Sequence, residues 1–234
     1  MSAAPDIVPQ PLPEAGLRLL RFVASWWIRR RWDLHEQGLH HVPDRGPVIY
    51  ASNHIGWLDG PLLIARTPRP AHALAKREAF DSRSGVLLRL SGQIRLDRQA
   101  RDVGALRRAA GALAAGQSVV VYPEGLRGAG DFASIRRGIG WLAAVSGAPV
   151  VPVVIVGTRL AGQDAETRAA KGARIDIAYG RPLLFPAQPW PRSRETVDDV
   201  TDQIHDHLRA HLQRTLTESS LQLPGPLPAG SSDG

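Results

Sequence analysis

Hydrophobic and polar positions follow two periods along this chain. Residues 14–32 (EAGLRLLRFVASWWIRRRW) join a wide apolar arc to a narrow polar stripe and end on a cluster of arginines. At about 100° per residue, Arg18, Arg21, Ser25 and Arg29 line up, and Leu17, Leu19, Leu20, Phe22, Val23, Trp26, Trp27 and Ile28 fill the remaining arc. Beyond this helix, Pro47–Ala51 reads as a strand and a short helix starts near Asp59. His72–Lys76 is a strand, Gly85–Leu90 a short helix, Ile94–Leu96 a strand, and Asp102–Ala115 an Ala-rich helix stopped by Gly116. Ser118–Tyr122 (SVVVY) is a buried strand. Gly138 to Thr158 is 21 residues without a charge, nominally enough to span a membrane. It divides at Ser146-Gly147-Ala148-Pro149, a turn signal, so helix, turn and the buried β-branched run Val150–Val156 is the better reading. Arg174–Tyr179 alternates as a half-exposed edge strand, and Thr196–Thr217 is a helix striped by Val197, Val200, Ile204, Leu208 and Leu212. Alternating strands and helices without an internal repeat predict one α/β domain. Residues 1–13 read as a disordered lead-in and not as a secretory signal, because no cation precedes the apolar stretch. The Pro-, Gly- and Ser-rich residues 219–234 read as a disordered tail.

Composition narrows the chemistry. The 234 residues contain no cysteine, which excludes a disulfide-stapled scaffold, a thiol nucleophile, a thiolate zinc site and an iron–sulfur cluster. Of 29 cations only Lys76 and Lys171 are lysine, and the +7 net charge is unevenly placed. Residues 1–138 hold 20 Lys+Arg and 12 Asp+Glu, the remainder 9 and 10. An Arg-rich half suggests a phosphate-bearing partner, since guanidinium presents a planar donor fork to phosphate oxygens; codon bias is the plainer source of the Arg-over-Lys ratio. The first helix cannot span a bilayer, because its longest uncharged run, Phe22–Ile28, is seven residues against the roughly 20 needed. Its wide apolar arc, paired tryptophans and Arg29-Arg30-Arg31 cluster suit the headgroup region of an anionic membrane. The alternative is a helix docked on the protein's own core.

Three strand exits carry candidate chemistry. In Ser52-Asn53-His54-Ile55-Gly56-Trp57-Leu58-Asp59, His54 follows a strand directly. On a continuous helix His54 and Asp59 would stand about 140° apart, and on a strand some 16 Å apart. They meet only if the chain turns between them, which Gly56 permits. If they meet, Asp59 orients the imidazole and leaves its second nitrogen as a general base; on this spacing alone an ordinary loop histidine is the better reading. Tyr122-Pro123-Glu124-Gly125-Leu126-Arg127 leaves the strongest strand of the chain, at the end where open α/β sheets bind ligands. There Glu124 suits a hydroxyl and Arg127 a phosphate, or the two form a solvated turn. Gly92-Gln93-Ile94-Arg95-Leu96-Asp97-Arg98 is a third charged exit, with Arg98 either a phosphate ligand or the partner of Asp97.

In this order the segments resemble the glycerolipid acyltransferase family, which includes the bacterial 1-acylglycerol-3-phosphate acyltransferases. His54-x₄-Asp59, Gly92-x-Ile94-x-x-Asp97-Arg98, Tyr122-Pro123-Glu124-Gly125-x-Arg127 and Val151-Pro152-Val153 look like its four blocks, and the resemblance covers roughly residues 38–185. It implies a mixed, mostly parallel sheet flanked by helices, with an acyltransferase domain over residues 34–218 preceded by a membrane-associating helix over 14–33. It further implies His54 as base with Asp59 as its orienting partner, and Arg98, Glu124, Gly125 and Arg127 as ligands of the acceptor's glycerol phosphate. Val151 and Pro152 would shape the site. Leu126 stands where the family often has Thr, and Gly56 where it often has Ser. The implied reaction moves a fatty acyl group from acyl-CoA or acyl carrier protein to 1-acylglycerol 3-phosphate at the cytoplasmic face of the cell membrane. It calls for neither a metal nor a cofactor. Another lysophospholipid or lipid alcohol is the alternative acceptor. A non-catalytic lipid-binding protein would leave the His-x₄-Asp unexplained. Nucleic-acid binding, suggested by a pI near 10.8, has no helix that joins a basic face to aromatic stacking partners.

Overall fold

A computed structural model describes residues 7–82, 85–97, 102–188 and 193–231. The elements run in the order α1 (Ala15–Arg31), β1 (Asp33–Gln37), β2 (Val48–Ser52), α2 (Asp59–Arg66), β3 (Ala71–Lys76), α3 (Arg77–Asp81), α4 (Gly85–Leu90), β4 (Ile94–Leu96), α5 (Val103–Ala114), β5 (Ser118–Val121), α6 (Gly138–Ser146), β6 (Val150–Val156), β7 (Arg174–Tyr179) and α7 (Arg194–Glu218). A seven-stranded sheet in the order β1-β7-β6-β2-β5-β3-β4 is their centre. Every neighbouring pair is parallel except β6–β7, so β1 and β7 run against the other five.

The period of two sorts the central strands between two cores. Ile49, Ala51, Val119, Val121, Val150, Val154 and Val156 face α5, α6 and α7. Val48, Tyr50, Val120, Val151, Val153 and Ile155 face α1 and α2. Both faces are covered, which is why these strands read as unbroken β-branched runs rather than as alternating ones. The uncharged stretch 138–158 divides as expected into α6, a turn at Gly147 (φ +62) and β6. No described helix is long and apolar enough to cross a membrane.

The edge of the sheet differs from the sequence reading. β7 is not an edge strand, since all its residues except Arg174 are buried. The edge on this side is β1, with β4 at the other; β1 was unforeseen because DLHEQ is short and polar, and its residues alternate between exposed and half-buried, a composition that discourages further strand pairing. The tail expected to be disordered instead lies on the body over residues 219–231. There Leu221 and Leu223 pack on the core, and Ser219 Oγ donates to Asp176 Oδ2 at 2.6 Å. The described part of the lead-in, residues 7–13, is also tied down: Leu12 exchanges hydrogen bonds with the Gln117 side chain at 2.7 and 2.9 Å.

Helix α1 turns the middle of its polar stripe, Arg21 and Ser25, inward, while Arg18 and Arg29 at the ends of the stripe stay exposed. The Arg21 guanidinium donates to the carbonyls of Thr67 and Arg69 at 2.7 and 2.6 Å and to the Thr67 hydroxyl at 3.1 Å, closing the C-terminal end of α2. Ser25 receives Arg66, which also pairs with Glu36. Leu17 and Ile28 flank the stripe and are buried, whereas Leu19, Phe22, Val23, Trp26 and Trp27 are all exposed, Phe22 to 76%. The Arg30 guanidinium lies 4.9 Å over the Trp26 ring.

Candidate active site

β2, β5 and β6 are adjacent and parallel, so their C-terminal ends deliver three loops to one place. Asn53 ties two of these exits together. Its side chain accepts from Ile155 N at 2.8 Å and donates to Ile155 O at 2.9 Å, copying a strand pairing one residue past β2. His54 comes next, and the chain then turns into α2, whose first residue is Asp59.

That turn brings the two candidates together. Asp59 is fully buried, and its Oδ2 accepts from His54 Nδ1 at 2.9 Å, Ile55 N at 2.7 Å and Gly56 N at 2.8 Å. The negative end of the side chain thus meets two backbone amides of the turn before α2, and hydrogen bonds of this kind favour the ionised carboxylate. A carboxylate only accepts, so Nδ1 carries the proton and Nε2 keeps the lone pair. The ring is partly exposed and stacks on Tyr122, centroids 4.1 Å apart and planes 20° apart. Gly56 serves the turn differently from the expectation: a Cβ there would stand 3.3 Å from Thr158 O and Arg159 Cβ. Its role is close approach, without a left-handed backbone.

Glu124, from the β5 exit, reaches the same turn. Its Oε1 accepts from His54 N at 3.2 Å. Burial pushes its carboxyl up to about 8, and the charges of Asp131 and Asp59 act in the same direction, against the amides of His54 and Gly130. At neutral pH it is therefore a carboxylic acid with a proton to donate. Gly125 adopts φ +78, and a Cβ there would lie 2.1 Å from Arg136 Nε, so the turn requires glycine. Arg127 Nη1 donates to Glu166 Oε1 at 2.6 Å and Ala165 O at 3.3 Å. The expected phosphate ligand is thus engaged with an acidic side chain of the loop after β6.

Arg98 lies outside the described residues. At the exit of β4 a cavity of about 360 Å³ is lined by Arg77, Arg95, Asp97, Asp102 and Arg108, and His54 is not among these residues. Val151 and Pro152 belong to the interior of the sheet, well before the β6 exit.

The sequence reading missed what that exit contributes. Thr158, fully buried, donates from Oγ1 to Asp59 Oδ1 at 2.5 Å. Arg159, also fully buried, donates to four backbone carbonyls: Ile55 at 2.6 Å, Gln163 at 3.0 Å, and Gly128 and Gly225 each at 2.7 Å. One guanidinium thereby joins the His54 turn, the loop after Glu124 and the C-terminal segment. The available signal was positional: Thr158-Arg159 follows the β6 run as His54 follows β2 and Glu124 follows β5.

Known proteins share this arrangement of sequence and fold. The family model described as Acyltransferase matches residues 33–156. A 1-acyl-sn-glycerol-3-phosphate acyltransferase of Limnanthes alba is 29% identical over 175 residues, covering 73% of this chain and 60% of that protein. A lyso-ornithine lipid O-acyltransferase of Pseudomonas aeruginosa is 30% identical over 151 residues, covering 62% of this chain and 57% of that protein. The chain thus spans about three-fifths of the length of these curated relatives. The crystal structure of the 1-acyl-sn-glycerophosphate acyltransferase PlsC from Thermotoga maritima shares the fold, with a TM-score of 0.55 at 23% identity over 83% of this chain and 80% of that one. The matched segment takes in the His54–Asp59 and Glu124–Arg127 loops, and the chain belongs to the acyltransferase family.

Proposed function

We infer that this protein is an O-acyltransferase that moves a fatty acyl group from a thioester, acyl-CoA or acyl carrier protein, to the free hydroxyl of 1-acylglycerol 3-phosphate. The observation that carries this reading is the 2.9 Å bond from His54 Nδ1 to the buried Asp59 carboxylate. It leaves Nε2 on a partly exposed ring as the proton acceptor. Nε2 takes the proton as the acceptor oxygen attacks the thioester carbon, Asp59 stabilises the resulting imidazolium, and the proton then passes to the departing thiolate. Thioesters are already activated, so no covalent enzyme intermediate is needed. In this reading Glu124, whose carboxyl burial holds toward the protonated form, donates to an oxygen of the glycerol.

The partner surface in this reading is an anionic membrane, approached from its cytoplasmic face. Support comes from the outward arc of α1, where five large apolar side chains are unburied beside Arg29, Arg30 and Arg31.

A second acceptor is favoured by one contact. Arg127 is engaged by Glu166, and Leu126 offers no hydroxyl beside it, so this loop is less suited to a phosphate than Arg127 alone suggests. An acceptor hydroxyl on a phosphate-free lyso-lipid fits that arrangement, and one relative is named for acylating lyso-ornithine lipid.

Purified protein assayed against a matrix of acceptors and donors, with His54→Ala as control, decides among these. Consumption of thioester with 1-acylglycerol 3-phosphate, reduced about 10²–10⁴-fold in the variant, is the expected result. Full activity in His54→Ala would end the reading, and preference for a phosphate-free lyso-lipid would select the second acceptor.

A further inference from the structure

We propose that Thr158 is a positioning residue for the His54–Asp59 pair: its hydroxyl holds the second carboxylate oxygen of Asp59 so that the first stays aligned with the imidazole. This rests on the reading of His54 as the base, but the arrangement that supports it is independent of the acceptor.

The two oxygens of Asp59 are served from different parts of the chain. Oδ2 takes three N–H donors, all from residues 54–56. Oδ1 takes Thr158 Oγ1, across 99 residues of sequence. Since a carboxylate accepts only, the Thr158 hydroxyl is the donor. The three donors on Oδ2 hold that oxygen at one end of the carboxylate, and the Thr158 bond holds the other end. Without it the plane of the carboxylate can tilt about Oδ2, which bends the Nδ1–H bond away from its best alignment.

The backbone is built to deliver this hydroxyl. Gly157, at φ +95, would place a Cβ 2.4 Å from Arg174 O, so the chain turns off β6 there only with glycine. A Cβ on Gly56 would stand 3.4 Å from Thr158 Oγ1, so the His54 turn lies directly against it. Arg159 then grips Ile55 O at 2.6 Å, on the same residue whose amide serves Oδ2. Residues 158 and 159 thus hold the carboxylate and the turn that carries it.

Burial makes the loss costly. Thr158→Val keeps the shape but leaves Oδ1 of a fully buried carboxylate without its donor, and a hydrogen bond to a charged group corresponds to about a 10- to 100-fold effect. The test compares Thr158→Val and Thr158→Ser with the parent protein in two measurements. Steady-state kinetics should show kcat reduced about 10- to 100-fold in the valine variant, KM for the thioester unchanged, and recovery to within a few-fold in the serine variant. NMR of the imidazole-¹⁵N-labelled protein, with the His54 signals assigned by their loss in His54→Ala, should show a fixed Nδ1–H form in parent and serine proteins. That signal should be displaced or broadened in the valine variant. Unchanged kcat and unchanged His54 signals in Thr158→Val overturn the proposal, as does a serine variant as impaired as the valine one. Displaced signals restored by serine, in a protein that transfers no acyl group to any acceptor, uphold the positioning role and reject the acyltransferase reading instead.

Discussion

Glu124 shows how much a single side chain at the site depends on surroundings its sequence neighbours do not reveal. Its ordinary value of 4.5 is raised to about 8 chiefly by burial. In the unfolded chain the carboxyl ionises near 4.5, so between that pH and about 8 unfolding releases a proton the native state retains. Glu124's contribution to stability is therefore fully present below pH 4.5, falls as pH rises through this window, and is lost above about 8. Glu124→Gln keeps an oxygen for His54 N and removes the titration. Denaturant melts of the variant should flatten the pH slope over that window and gain about 1–3 kcal/mol relative to the parent above pH 8. An unaltered slope would show that Glu124 ionises normally. The His54–Asp59 pair and Glu124 were legible through the order of their sequence blocks, since each block alone fits an ordinary loop. Thr158 was not: its partner is 99 residues away, and no local pattern encodes that distance.

At the scale of elements, sequence periodicity revealed α1 and its stripe but not the direction the stripe faces. The usual amphipathic rule sends polar side chains outward. Here Arg21 and Ser25 point in, because the C-terminal carbonyls of α2 and the Arg66–Glu36 pair give them partners. Several arginines of the basic half act the same way: Arg69 donates to the carbonyls of Pro43, Gly46 and Gly116. Part of the arginine excess is therefore internal bonding and not phosphate recognition. The outward arc of Phe22 and Trp26 is the membrane surface of the proposed function, and exposed positions tolerate exchange within about 0.5 kcal/mol. Phe22→Glu/Trp26→Glu should therefore melt near the parent temperature yet lose about tenfold or more in flotation with anionic vesicles. Equal flotation of the two proteins would remove α1 from the membrane contact. The edge strand β1 escaped the sequence reading for a related reason: four polar residues around a single leucine resemble a loop until β7 supplies their partner.

Across the whole molecule, the site is assembled from three adjacent strand exits and then fastened by a segment that composition assigned to disorder. Residues 219–231 have the Pro and Gly content of a flexible tail, but composition does not register the two leucines that reach the core or the buried guanidinium waiting for a carbonyl. Leu223 lies against the left-handed Gly130, where a Cβ would be 3.6 Å from its Cδ2, and Gly225 O completes the acceptor set of Arg159. The segment thus reaches the His54 turn through one residue: Gly225 to Arg159 to Ile55. A chain ending at Glu218 would lose Leu221 and Leu223 and uncover the core they pack on, take Ser219 from the buried Asp176, and leave one donor of a fully buried arginine without its acceptor. Losing the packing of two partly buried leucines amounts to about 2–4 kcal/mol, which for a domain of this size lowers the melting temperature by roughly 5–15 °C. The ring current of Tyr122 on His54 gives a local readout, since a loosened Ile55 turn shifts the stacked imidazole. Truncated protein should therefore melt lower and show altered His54 resonances well below its melting temperature. A lower melting temperature with unaltered His54 resonances would limit the segment to covering the core, and an unchanged melting temperature would mean that it does neither.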